Sequence, residues 1–360
     1  MNRSARHPAP RTAATRRAVV GFAWAMAWMA AWGGALLLFA HRAQAAPEIA
    51  RPAPLTLAVS DGPVSLPIYV AEARGLFKAE GLDLHVVACR SGRECYGMLA
   101  DGRVDIATAA ELLVAIGHAA RPDIAIVGTV SASAYQIKIV ARRSAHIDEA
   151  PQVRGKRIGT VAGTSAQYYL DSWLVFNDID PRAVTIVPLA PDRLVGALER
   201  RDVDAVAIWE PLASTAAATL GADAVAFASP RVYTQHFNLL ADRATIARRE
   251  PEFEHVLRAL VAAQRLIAQD PAAAQALLGV RLGLAPAIAA SAVADQDYRV
   301  RLDQSLVTTM QSQARWAARA GALASSSPLP QAGLGNGDLL HAIEPGPLRR
   351  VAPDAVGLVR

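Results

Sequence analysis

Between residues 55 and 87 the apolar positions change period twice. Leu55, Leu57 and Val59 alternate with other residues, which predicts a short buried strand, and Ser60-Asp61-Gly62-Pro63 breaks it. Pro67 suits the first turn of a helix, where its missing N–H costs nothing. Ile68, Ala71 and Leu76 then keep an approximately helical stripe that Gly81 ends, after which Leu82, Leu84 and Val86 alternate again. A strand–helix–strand unit of this kind pairs its strands in parallel. In open sheets so built, ligands sit beyond the carboxyl ends of the strands. Ser60 and Asp61 stand at such an end, and Tyr69 lies on the helix that follows.

The same alternation of periods continues. A turn at Arg90-Ser91-Gly92-Arg93 starts a helix reaching Ala100, and Val104, Ile106 and Thr108 form the next strand. Residues 124–131 and 136–141 supply two more strands, assigned with the preceding elements to a first lobe over 54–142. The polar stretch 144–154, with Pro151, reads as a crossover. A second lobe over 143–235 then holds a strand at 157–161, a helix at 166–176 opened by Gly163-Thr164-Ser165, a strand at 184–187, a helix at 192–200 and a strand at 203–208. The chain crosses back within 229–238 and returns to the first lobe over 236–321, which is mostly helical: 251–269, 271–278 and 301–320. Residues 322–337 are a Ser/Pro/Gly/Ala linker and 338–360 a terminal segment that docks on the body.

A short echo links the halves. Leu99 to Val104-Asp105 recurs as Leu198 to Val203-Asp204, each time between a helix and a strand. No period of 20–50 residues repeats, so two similar lobes are expected rather than a solenoid. The expected fold is α/β, with two mixed or parallel sheets joined by two crossover strands.

Composition alters this picture mainly at the N-terminus. The 360 residues carry a formal charge of +5, but six arginines and no acid fall in residues 1–45. The remainder holds 31 basic against 32 acidic residues, a net charge of −1, so the folded part lacks the basic footprint of a nucleic-acid binder. Residues 1–46 read as an export signal: a basic stretch, an apolar run at 18–40 and Ala43-Gln44-Ala45 as a small-residue cleavage site. The apolar run is also long enough to be kept as a membrane anchor. Export permits a disulfide between the two cysteines, Cys89 and Cys95; two buried thiols are the alternative. The eight histidines have no metal-ligand spacing, and phosphate-loop, dinucleotide and nucleophile-elbow motifs are missing, so neither metal nor cofactor is expected.

The candidate chemistry lies at helix starts and strand ends. Ser91-Gly92-Arg93 and Gly163-Thr164-Ser165 each set backbone N–H groups and hydroxyls at the positive end of a helix, which suits an anion. Plain capping is the competing account of each. Arg93 could add a charge-assisted bond or pair with Glu94 or Asp101. Trp209 and Glu210 end an apolar strand; the indole reads as a stacking wall or as core, the acid as a partner for a ligand amine or for a nearby base. Thr108 and Glu111 hold the matching place in the first lobe, against a reading as helix cap and first-turn acid. Two acids beside one cleft would suit a ligand with donor groups. Ser131 and Asn238, at strand ends near the crossovers, complete the candidates.

The opening stretch resembles periplasmic solute-binding proteins of the nitrate/sulfonate/taurine and thiamine-precursor type. The resemblance rests on a polar turn followed by P-I-Y-V-A at 67–71 and G-L-F-x-x-E-G-L-D-L at 75–84, on V-A-I-W-E-P at 206–211, and on P-L-x-x-V-x-P-x-A-V at 347–356. It implies a type II two-lobed fold that closes on one small solute, no cofactor, action as a monomer, and delivery to an ABC permease in the inner membrane. It also implies that Trp209, Glu210, Thr108 and Glu111 line the cleft. Relatives of the fold include a pyrimidine synthase with a C-C-C-F-C iron motif, absent here, so an enzyme is not expected. The expected function is the periplasmic binding component of an importer for a small anionic or zwitterionic solute. The alternatives are an anchored sensory binding module and a pyrimidine-precursor binder.

Overall fold

The computed structural model describes residues 54–320 and 339–359. The expected export segment 1–46 and linker 322–337 lie outside them. Ten strands form two five-stranded sheets. The first contains β1 (Leu55–Ser60), β2 (Leu84–Cys89), β3 (Ile106–Ala110), β4 (Ile124–Ser133) and β10 (Gln235–Asp242), in the order β2-β1-β3-β10-β4. The second contains β5 (Ile137–Arg142), β6 (Arg157–Thr160), β7 (Thr185–Pro188), β8 (Ala205–Trp209) and β9 (Ala224–Phe227), in the order β7-β6-β8-β5-β9. The two layouts match. In each, three parallel strands are followed by two outer pairings made antiparallel.

Within each sheet the antiparallel strand next to the parallel ones arrives from the other lobe. β5 follows β4 directly in sequence yet pairs with β8, and β10 follows β9 yet pairs with β3. The chain therefore crosses at residues 134–136 and 228–234. This corrects two expectations. Residues 137–142 belong to the second sheet rather than the first lobe, and 144–154 is no crossover but two short 3-10 turns inside the second lobe. An apolar strand announces its burial by pattern, but its partner is fixed only by long-range pairing.

The echo at Asp105 and Asp204 acquires a physical role. The Asp105 carboxylate accepts from the Thr56 N–H at 2.8 Å and the Thr56 hydroxyl at 2.7 Å. Asp204 accepts from the Arg157 N–H at 2.9 Å. Each aspartate thus clamps the start of the parallel strand beside it, β1 in one lobe and β6 in the other.

Helices close the faces. The helix expected over 67–80 is two, Leu66–Ala73 and Leu76–Ala79, because Gly75 turns left-handed at φ 66° between them. The long helix Glu250–Gln269 buries Phe253, Val256, Leu257 and Leu260 and packs on Leu66–Ala73. Helices Glu111–Gly117, Leu212–Leu220 and Pro286–Val293 add to the expected set. The terminal segment lies on the first lobe: the Glu344 N–H donates to the Ile126 carbonyl at 2.8 Å, and Arg350 pairs with Glu254 and Glu250.

Gly159 of β6 leaves room for the helix Pro191–Glu199, since a Cβ there would stand 2.9 Å from Leu194 Cδ2 and 3.2 Å from Leu189 Cδ1. Gly159→Val should lower the stability of the protein by about 1–3 kcal/mol through overpacking. A urea midpoint indistinguishable from that of the unsubstituted protein would show that this helix does not seat on β6.

Candidate functional site

The carboxyl ends of β1, β2 and β3 in one lobe face those of β6 and β8 in the other, and between them lies a cavity of about 140 Å³. Ser60 and Asp61 reach it from the end of β1, and Ser91, Gly92 and Arg93 from the turn after β2. From the second lobe come Thr164 and Ser165, then Trp209 and Glu210 at the end of β8. The sequence placed all nine at strand ends or helix starts, and the structure brings them around one cavity.

Two helices of opposite lobes point their N-termini at this space. Ser91 caps the helix Gly92–Ala100, its hydroxyl accepting from the Glu94 N–H at 3.4 Å. Thr164 caps Ser165–Phe176, accepting from the Ala166 N–H at 3.3 Å while donating to the Val161 carbonyl at 2.6 Å. Capping and cavity lining therefore coexist at both places, since a cap uses only part of what a first turn offers. Gly163, at φ 64°, makes the left-handed turn that brings Thr164 round. Gly92 packs so closely that a Cβ would meet Ala109 Cα at 3.1 Å, which lets the first helix start directly above β3. Cys89 and Cys95 are joined in a disulfide with Cα atoms 5.7 Å apart, tying down the turn that carries Ser91 to Arg93.

Arg93 spans the lobes. Its Nη2 donates to the Ala162 carbonyl at 3.1 Å and also to the Gly163 carbonyl, next to the opposing helix start. Burial draws the pKa of its guanidinium down. The acids behave differently from a pair of open carboxylates. Glu210 is only 2% exposed, and its carboxylate meets Lys138 Nζ at 2.7 Å, the Ser214 hydroxyl at 2.9 Å and the Ser214 N–H at 3.0 Å. Asp61 is exposed; partial desolvation raises its pKa above the usual carboxylate range, with Arg281 opposing.

Five expected residues do not line the cavity. The Tyr69 hydroxyl donates to the Ser60 carbonyl at 3.2 Å and accepts from the Gly62 N–H at 3.3 Å. Thr108 accepts from the Ser60 N–H at 2.9 Å. Ser131 donates to the Val64 carbonyl at 2.8 Å. Asn238 accepts from the Thr129 hydroxyl at 2.7 Å and donates to the His236 carbonyl at 3.0 Å. Glu111 is fully buried behind the wall, holding Tyr233, Gln313 and the His236 N–H. All five are buried, and the first three hold the turn at 60–64 in place. The expectation of two acids exposed to the cleft is thus corrected: Glu111 is turned away, and Glu210 is ion-paired.

Other lining residues escaped sequence reasoning. Gln136 and Gln235 sit at the ends of the two crossings, while Val64, Leu112, Leu113 and Phe237 supply apolar wall. The two glutamines had a signal available, because a chain that passes twice between lobes must border the cleft. The apolar residues had none, since each matches ordinary core.

Comparison with known proteins adds the following. A model of the NMT1/THI5 like family matches residues 62–274. A putative aliphatic sulfonates-binding protein of Bacillus subtilis (strain 168) is 27% identical over 152 residues, 41% of this chain and 46% of that protein; the match thus spans about half the relative's length. The alkanesulfonate-binding protein SsuA from Xanthomonas axonopodis pv. citri, solved bound to MOPS, superposes with a TM-score of 0.68 at 22% identity, covering 82% of this chain and all of that one. The desulfurization enzyme DSZB also shares the fold, at a TM-score of 0.58 and 16% identity over 83% of this chain and 99% of that one. Two matched mixed sheets, crossed twice by the chain, and a family match over more than half its length lead to one statement: the chain belongs to the NMT1/THI5 like family and has the periplasmic binding protein fold.

Proposed function

We propose that this protein is the exported solute-binding component of an ATP-driven importer, and that its solute is a small sulfonate or a comparable anion held between the lobes. The observation that carries the reading is the meeting of helix N-termini from both lobes on one cavity, beside a half-buried arginine. First-turn N–H groups and the helix dipole favour negative charge there. The neutralised Glu210 removes the main repulsion such an anion would meet. Trp209, Leu112, Leu113 and Phe237 offer an apolar surface for an organic tail, which a sulfonate has and nitrate lacks. The sulfonate-binding names of the matched relatives support the same class.

Binding rather than catalysis is the reading because Ser91 and Thr164 are engaged as helix caps, Glu210 is ion-paired, and both cysteines are consumed in the disulfide. Function in the periplasm and delivery to an inner-membrane permease follow from the same proposal. Solute would shift the lobes toward the closed form by binding it better than the open one.

Isothermal titration of the purified protein with ethanesulfonate, butanesulfonate, taurine and nitrate tests the reading. At least one sulfonate should bind more tightly than nitrate; nitrate binding with no sulfonate binding would overturn it. Arg93→Ala should weaken the best sulfonate about tenfold or more, the scale of a lost charge-assisted hydrogen bond.

Lys138→Met leaves the Glu210 carboxylate without its cation beside the cavity. It should lower both melting temperature and sulfonate affinity, and adding Glu210→Gln should recover part of each loss, because the harm comes from an uncompensated charge. Equal losses in the single and double variants would show that Lys138 acts in some other way.

A further inference from the structure

Glu111 is the first residue of the helix whose next two residues, Leu112 and Leu113, line the cavity. Its carboxylate receives three donors from three places: the Tyr233 hydroxyl at 2.5 Å, Gln313 Nε2 at 2.7 Å and the His236 N–H at 2.9 Å. Tyr233 lies in the second crossing, His236 in β10, and Gln313 in the helix Gln304–Ala320. The cluster therefore joins the cavity wall to the second crossing between the lobes.

The second lobe covers this cluster. Tyr168 stands edge-on to Tyr233, ring centroids 5.1 Å apart, and to Trp316 at 5.4 Å. Its hydroxyl donates to Ser312 at 3.1 Å, and Asp171 accepts from the Trp316 indole N–H at 2.9 Å. Tyr168 and Asp171 belong to the helix Ser165–Phe176, whose N-terminus forms part of the cavity wall. A movement that opened the cavity on that side would draw Tyr168 off Tyr233 and let water toward Glu111.

We propose that Glu111 is a proton-coupled positioning residue, taking up a proton as the lobes close, so that solute affinity rises on acidification through neutral pH. Burial beneath this cover lifts its pKa to about 7, even though the three donors favour the carboxylate. A Glu111 left less covered by that movement would titrate lower, so the covered form binds more protons in the interval and gains as pH falls through it. The surrounding groups do not supply that transition. Tyr233 is raised well above its ordinary value and stays a phenol. His236, whose Nε2 meets Ser305 and whose ring feels Asp303 and Arg301, is held down at about 4 and stays neutral. Asp171 is also raised by burial, with Trp316 opposing, and is the one neighbouring acid on the covering helix, so it needs its own control.

This inference rests on the sulfonate reading, and its test separates the two. The tightest-binding alkanesulfonate is titrated calorimetrically into the protein from pH 5.5 to 8.5, and at pH 7 in two buffers of unlike ionisation enthalpy. Affinity should rise about tenfold toward the acid end, the worth of one pKa unit between forms, with net proton uptake at pH 7. Glu111→Gln should flatten the profile and abolish the uptake. Tyr233→Phe removes a donor that stabilises the carboxylate, so the dependence should persist with its midpoint moved upward. Asp171→Asn should keep the slope. Sulfonate binding that is indifferent to pH, a slope that survives Glu111→Gln, or one lost in Asp171→Asn overturns the inference alone. Failure of every sulfonate to bind at any pH overturns both.

Discussion

Each lobe of this protein borrows a strand from the chain's passage through the other, and the rest of the structure depends on that exchange. β10 is inserted between β3 and β4, and β5 between β8 and β9, so neither sheet is complete without chain that has crossed the gap. The crossings at 134–136 and 228–234 are consequently anchored in sheets at both ends. They hold the carboxyl ends of two sets of parallel strands face to face. The residues ending those passages, Gln136 and Gln235, border the cavity for the same reason.

What faces the cavity follows from strand polarity. A parallel strand must be followed by a crossover element, so its carboxyl end opens into the start of a helix or turn. Such starts gather N–H groups and positive potential. Two lobes of like topology, opposed, thus produce a space favourable to anions before any side chain is chosen. Side chains then refine it. Arg93 adds charge and bridges to the other lobe, Lys138 cancels Glu210, and the disulfide steadies the turn holding Ser91. Tyr69, Thr108 and Ser131 contribute from behind, each bonded to backbone of the turn at 60–64.

The likeness of the lobes is kept by a small device. Asp105 and Asp204 each secure a backbone N–H at the start of a neighbouring parallel strand, at 2.8 and 2.9 Å. A carboxylate at that point satisfies a donor that would otherwise be left at the edge of the ladder. It also fixes the strand's register against the loop that ends the preceding helix.

The sequence by itself determined the alternation of strand and helix, the two-lobed division, the family resemblance and the helix starts at Ser91 and Thr164, because periodicity, caps and turn residues act within a few positions of one another. It also exposed the Val-Asp echo, although not its purpose. Tertiary structure alone decided which sheet received residues 137–142, since a buried strand has the same pattern in either. It decided that Thr108, Ser131 and Asn238 turn inward to bond backbone and neighbouring side chains while Ser60 and Trp209 border the cavity. It placed Glu111 behind the wall and paired Glu210 with Lys138 from an adjacent strand. Orientation and ion pairing depend on partners tens of residues away, and nothing local in the chain records them.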